Sequence, residues 1–387
     1  MKKKSLYVGI ITSTIFILSI IVLLSIQYSE WNATEQSPTP KTMESHATRE
    51  IHTLSKNTKT STTIGAIGDI LLHHTVYNDA KTNGTYDFSA MFSPIKSMLE
   101  TPNFLIANQE SMPGGTQLGL SSYPLFNSPH EIVNTLQNVG VDAVTNANNH
   151  SLDQGEEGIL SSIAYYEKIN MPYTGAFKNK QDQQTIRTFN VNGISFALLS
   201  YTYGTNGIPV PTGKEHLVNL LDEQKIITDI KEARKQGVDL VVLSLHWGNE
   251  YQRFPTDEQV RLAKSLTNNG ADIIFGHHPH VLQPMETYKT KDGREAVVIY
   301  SLGNFLSGQK DDYKDIGGMV TVEIEKSISS DGVKISYPSV QFEPTFVAEA
   351  NYRNYRIYPL ADAHQKGLIA NSEKELVSHM SDGIHKE

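Results

Sequence analysis

The chain has 387 residues, with 33 Lys and Arg against 42 Asp and Glu, a net charge of −9 and no cysteine. Without cysteine there are no disulfides, no thiolate zinc sites and no cysteine nucleophile. The negative balance and the absence of a long basic run exclude nucleic acid as a partner.

The first elements are at the N-terminus. Residues 1–5 include Lys2, Lys3 and Lys4, and residues 6–26, LYVGIITSTIFILSIIVLLSI, carry no charge. At about 1.5 Å rise per residue that run is long enough to cross a bilayer as a helix. No small-x-small cleavage site follows it, so the reading is a signal anchor; a cleaved signal peptide is the alternative. The lysines stay in the cytoplasm by the positive-inside bias. This predicts a single-pass protein of the cell membrane whose C-terminal part is extracellular. Residues 27–62 are rich in Ser, Thr, Glu, Lys and Asn and read as a flexible tether. Dense apolar periodicity marks a folded domain over 63–347, and 348–387 read as a polar C-terminal tail.

Within the domain, TIGAIGD is a strand running into Asp69, and NFLIANQE a strand running into Asn108 and Glu110. Three units then share one pattern: an amphipathic helix, a glycine, one residue, an aspartate, an apolar strand and a polar cluster. In SPHEIVNTLQNVGVDAVTNANNH, Ser128 and Glu131 are placed for a capping box and Gly140 for a helix stop. Its strand, Val141 to Thr145, leads to Asn149 and His150. The second unit ends its helix at Gly237, and its strand, Val238 to Leu245, leads to His246. In the third, Thr256 and Gln259 can form a capping box, and Gly270 stops the helix. The strand Ile273 to Phe275 leads to GHHPH. Helices alternating with short apolar strands predict an α/β sheet with helices on its faces. The polar clusters then fall at the carboxyl ends of the strands, where such sheets gather ligand sites.

Singly, each cluster has a plain reading: a packed histidine, an asparagine-rich turn, an acidic strand end. Five strand ends in a row with ligand-type residues point to a metal site. Carboxylates, an amide oxygen and imidazoles suit manganese, zinc or iron. In an extended His-x-His run the two histidines face the same way, so His278 and His280 point to the site and His277 away from it. Two divalent metals are expected. Asp69, Glu110 and His280 would hold one, and Asn149, His246 and His278 the other. Glu110 or Asn108 would lie near both, and His150 would be free to donate a proton.

GDILL, ANQE, TNANNHSLDQG, HWGNEY, GHHPHVLQP and YSLGNF, taken in order over about Thr63 to Val320, resemble the CapA (PgsA) poly-γ-glutamate capsule biosynthesis family. That family lies in the calcineurin-like metallophosphoesterase superfamily. The resemblance implies a four-layer α/β sandwich of the metallophosphatase type, here preceded by one transmembrane helix. It also implies a poly-γ-glutamate chain and membrane-bound capsule synthase subunits as partners. The sequence departs from the superfamily in two places. Leu71 stands at the second ligand position, where the histidine of Asp-x-His is usual, with His73 and His74 two or three residues further on. Ala107-Asn108 stands for Gly-Asp, with Glu110 two residues later.

Three functions stay open at this level. The chain is a capsule-machinery subunit, a stand-alone metal-dependent hydrolase of phosphoesters or of the polymer's amide bonds, or a fold that only binds. A net negative domain repels a polyglutamate chain unless metal or a local cation compensates. Arg253, close to His246 in sequence, is the candidate contact.

Overall fold

The computed structural model describes residues 20–28, 58–330 and 332–381. Residues 20–28 are helical and belong to an N-terminal unit, Met1–Leu54; the larger unit is Ser55–Glu387. No helix among the described residues is long and apolar enough to cross a membrane. Residues 6–19 of the expected 6–26 span and most of the expected tether lie outside the described residues.

The strands in chain order begin with β1 (Thr58–Leu71), β2 (Lys81–Thr82), β3 (Thr85–Tyr86), β4 (Phe104–Gln109), β5 (Ala143–Thr145) and β6 (Tyr173–Thr174). Then come β7 (Arg187–Val191), β8 (Ile194–Thr202), β9 (Leu240–His246), β10 (Ile273–His277) and β11 (Leu282–Lys289). The last are β12 (Glu295–Leu302), β13 (Asn304–Ser307), β14 (Ile316–Ser329), β15 (Gly332–Ala350) and β16 (Arg353–Pro359). Two mixed sheets form, one ordered β16-β15-β14-β1-β4-β5-β6 with β13 beside β1, the other β11-β12-β10-β9-β8-β7. β2 and β3 make a separate small hairpin.

Side-chain alternation sorts the core into three layers. Ile64 and Ala66 of β1 face Phe196, Val242 and Ile273 of the other sheet. Ile67 of β1 and Leu105 of β4 face outward onto Ile132, Leu136, Ile159 and Ile163 of the helices Glu131–Asn138 and Gly155–Lys168. On the far side, Leu199, Val241 and Ile274 pack on Ile226, Ile230, Leu262 and Leu266 of the helices Glu223–Lys235 and Asp257–Asn268. The layers therefore run helix, sheet, sheet, helix. Each fully buried aliphatic side chain contributes about 1.5–3 kcal/mol.

The glycine stops hold: Gly140, Gly237 and Gly270 have φ of 103°, 79° and 113°, the left-handed region that glycine enters without cost. The aspartate that follows each one latches its strand to the next. Asp142 donates its N–H to the Leu105 carbonyl and takes the Leu105 N–H on Oδ2, at 2.9 and 2.8 Å. Asp239 does the same to Ser195 at 2.9 and 2.8 Å, and Asp272 to Val241 at 2.9 and 2.7 Å.

Three expectations change. Thr256 and Gln259 form the capping box, but the helix Glu131–Asn138 starts at His130 without a side-chain cap. Ser128 donates to Ser111 instead, at 2.8 Å. The sheet begins at Thr58, inside the expected tether. The described part of the expected tail, 348–381, is folded: β16 pairs with β15, and Leu360, Ala363, Leu376 and Met380 of two short helices are buried against the inter-sheet core. β16 folds back on the preceding β15 through the turn at Asn351 and Tyr352, and the two helices depend on the distant inter-sheet core, which local periodicity does not reveal.

Candidate metal centre

The strand register assembles the site. Asp69 of β1 is paired with Asn304 of β13 and Asn108 of β4, and His246 of β9 with His277 of β10. These residues lie at or near the ends of strands of two facing sheets, so both rims deliver polar groups to one place. Asp69, Asn108, Glu110, Asn149, His150, His246, His277, His278 and His280 are all buried.

Asp69 is the hub. Its Oδ1 accepts from Asn108 Nδ2 at 2.8 Å and lies 3.2 Å from His277 Nδ1. Its Oδ2 accepts the His278 N–H at 3.3 Å and lies 3.3 Å from His280 Nδ1. Burial alone would raise its carboxyl; His277 and His280 outweigh that and hold it well below the usual range. Glu110 is the opposite case. Neither of its buried carboxylate oxygens has a hydrogen-bond donor. The ring nitrogens His246 Nε2 and His280 Nε2 stand 3.5 and 3.7 Å from Oε1. Burial, aided by the charges of Asp69 and Glu250 and opposed by His280, pushes the Glu110 carboxyl well up.

The histidines divide by neighbourhood. Burial pushes His246 well down and His278 to about 3, with charged imidazoles adding to the effect. His280 is also buried, but Glu110 and Asp69 lift it to about 9. His246 Nε2 lies 2.8 Å from Asn149 Oδ1, and Asn149 donates onward to Asn206 at 3.3 Å.

Ligand atoms of Glu110, His278 and His280 lie within 4.8 Å of one another, as do those of Asp69, Glu110 and His246. The grouping differs from the expected one: His278 joins His280, His246 joins Asp69, and Glu110 belongs to both. His277 corrects the sequence reading outright, because it faces Asp69. The strand ends at His277, and φ is 98° at His278 and 59° at His280, so strand alternation does not extend through the motif.

His150 stands apart. Its Nδ1 is 2.7 Å from Asp153 Oδ2, which also takes the Phe126 N–H at 2.7 Å. A cavity of about 460 Å³ opens over this pair, with His73, Phe126, His150, Asn206, Glu250, Tyr251 and His280 in its wall. Arg253 is not in that wall; its guanidinium lies 3.8 Å above the Tyr313 ring. Asp153 and Asn304 went unnoticed in the sequence. The three-residue step from His150 to Asp153 was a readable signal for the first. Asn304, whose Oδ1 lies 3.1 Å from His280 Nδ1, stands in the YSLGNF motif but was given no role there.

The capsule biosynthesis protein CapA of Bacillus anthracis is 34% identical over 187 residues, 48% of this chain and 44% of that one. The PGA biosynthesis protein CapA of Bacillus subtilis is 37% identical over 183 residues, 46% of each. These matches span about half the length of the relatives. The NAD nucleotidase NadN of Haemophilus influenzae superposes with a TM-score of 0.46 at 13% identity, over 83% of this chain and 59% of that one. Residues 63–309 match the family described as bacterial capsule synthesis protein PGA_cap, and the chain belongs to that family.

Proposed function

We propose that this chain is a membrane-anchored, extracellular subunit of poly-γ-glutamate capsule synthesis whose rim of strand ends holds two divalent metal ions. The observation that carries the metal reading is Glu110. A buried carboxylate with no donor on either oxygen is costly unless a cation neutralises it, and this one belongs to two ligand triads at once. His278 Nδ1 is likewise buried without a partner. Carboxylate and imidazole donors suit manganese, zinc or iron. Asp69, Glu110 and His246 would hold one ion, and Glu110, His278 and His280 the other, with Asn108 and Asn149 adjoining. The chemistry such ions supply is neutralisation of an anionic oxygen and activation of water. That positive charge also offsets the repulsion between a domain of negative balance and a polyglutamate chain.

The chain's own residues then receive and orient the polymer. The cavity over His150 admits it beside the metal rim. Asp153 engages Nδ1 of His150, leaving Nε2 to give or take a proton. This dyad is the observation that favours a second reading, a hydrolase of phosphoesters or of the polymer's amide bonds.

The test is deletion of the gene and complementation. Loss of surface poly-γ-glutamate, restored by the full-length chain and not by Glu110→Gln, supports the subunit reading; polymer unchanged in amount and length sinks it. Carbonate extraction and protease treatment of intact protoplasts check the anchor: the chain should stay with the membrane and be cut from outside.

A further inference from the structure

His73 lies two residues beyond β1 and belongs to neither ligand triad. It lines the same cavity as His150. Its Nδ1 has two backbone neighbours, the Gly308 N–H at 3.2 Å and the Leu71 carbonyl at 3.2 Å. These make opposite demands on the ring. The Leu71 carbonyl already accepts the His73 N–H at 3.1 Å. The Gly308 N–H has no other acceptor among the described residues, and an unmet partly buried N–H is costly. The tautomer that satisfies both groups leaves Nδ1 bare to accept from Gly308 and puts the proton on Nε2.

The surroundings hold the ring in that state. A Cβ at Gly308 would meet His73 Cβ at 2.7 Å, so the close approach requires glycine there. The ring of Phe126 stands edge-to-face with His73 at 5.1 Å and with His150 at 4.6 Å, clamping both imidazoles. Burial pushes the His73 imidazole down to about 4, so at neutral pH it carries no charge. The cavity wall contains one carboxylate, Glu250.

We infer that His73 is a substrate-contacting residue, a neutral imidazole locked to donate its Nε2–H to a carboxylate or phosphoryl oxygen in the cavity over His150. The inference rests on that cavity being the substrate site of the proposed function. A hydrogen bond to an anion contributes enough for about a tenfold effect on affinity.

Calorimetric titration of the full-length, manganese-loaded chain with glutarate, and separately with inorganic phosphate, tests it. At least one probe binds the wild type. His73→Phe weakens that binding about tenfold with metal content unchanged, while His73→Gln, which keeps an N–H at similar reach, stays within about threefold. Weakening confined to glutarate assigns a carboxylate; weakening confined to phosphate assigns a phosphoryl group. Nitrogen-15 NMR, with His73→Gln used for assignment, shows the Nε2–H neutral tautomer at pH 7. The inference is overturned if the wild type binds neither probe, if His73→Phe binds as the wild type does, or if the proton is on Nδ1. A wrong capsule reading shows instead as unchanged polymer on gene deletion and leaves the tautomer result as it is.

Discussion

His150 and Asp153 form a closed pair, Nδ1 to Oδ2 at 2.7 Å, with both side chains buried and Phe126 packed across the imidazole. The carboxylate fixes which ring nitrogen faces the cavity. If the site hydrolyses a bond, His150→Ala lowers kcat toward a chromogenic phosphoester or the polymer by about two to four orders of magnitude. Asp153→Asn, which unsettles the tautomer, costs at least about tenfold by the same measurement. Elemental analysis finds the metal content unchanged in both, since neither residue belongs to a ligand triad.

Glu110 gives a prediction with opposite signs for metal and stability. Glu110→Gln removes the carboxylate common to both triads, and metal per full-length chain falls by at least half on elemental analysis. The metal-free variant is more stable than the metal-free wild type by about 1–3 kcal/mol in urea unfolding at neutral pH. Burial and the Asp69 charge push the Glu110 carboxyl well up, so at neutral pH the wild type must take up a proton there on folding, and the variant does not. Equal metal content in the two proteins refutes the shared-ligand role.

Asp272 is buried between two guanidinium groups. Arg294 Nη1 reaches it at 2.8 Å, Arg234 pairs with its other oxygen, and the Val241 N–H adds a third bond. Asp272→Ala leaves both arginines facing a partly desolvated gap and costs about 3–5 kcal/mol in urea unfolding. A loss below about 1 kcal/mol would show the network to be dispensable.

Asp239 predicts a pH dependence. Burial pushes its carboxyl up, but Lys326 and the Ser195 N–H and hydroxyl outweigh that and hold it below its ordinary value. A depressed carboxylate stabilises the fold above the unfolded value, about 3.9, and loses that contribution as pH falls through the folded value. Asp239→Asn keeps an acceptor for Ser195 and loses the Lys326 ion pair. The wild type should therefore exceed it by about 1 kcal/mol at pH 7, with the gap closing below about pH 4. A gap independent of pH contradicts the assignment.

Much of this was legible because it is local. Helix periodicity, the stops at Gly140, Gly237 and Gly270 and the Thr256–Gln259 capping box depend on neighbours within a turn. The gathering of Asp69, Asn108, Glu110, Asn149, His246, His278 and His280 followed from placing polar clusters at strand ends. What failed depended on backbone conformation or distant partners. His277 was turned away by a rule that holds only in extended chain, and the chain leaves that conformation at His278. Ser128 found a partner in Ser111, which a capping rule does not consider. The helices within 360–381 depend on the distant inter-sheet core, and their sequence is too polar to announce it.

The aspartate latches have a consequence for the opposite rim. Each one ties the start of a strand to its neighbour, so strand alignment is set at the end far from the metal centre. From Asp272 to His277 is five residues, about 16 Å of extended chain. A slip of one residue at the latch would turn Gly276 to the place of His277 and withdraw an imidazole from Asp69. The latches thus work as measuring stops: tolerances of an ångström at the ion-facing rim are decided at the floor of the sheets, by residues that never touch the ions.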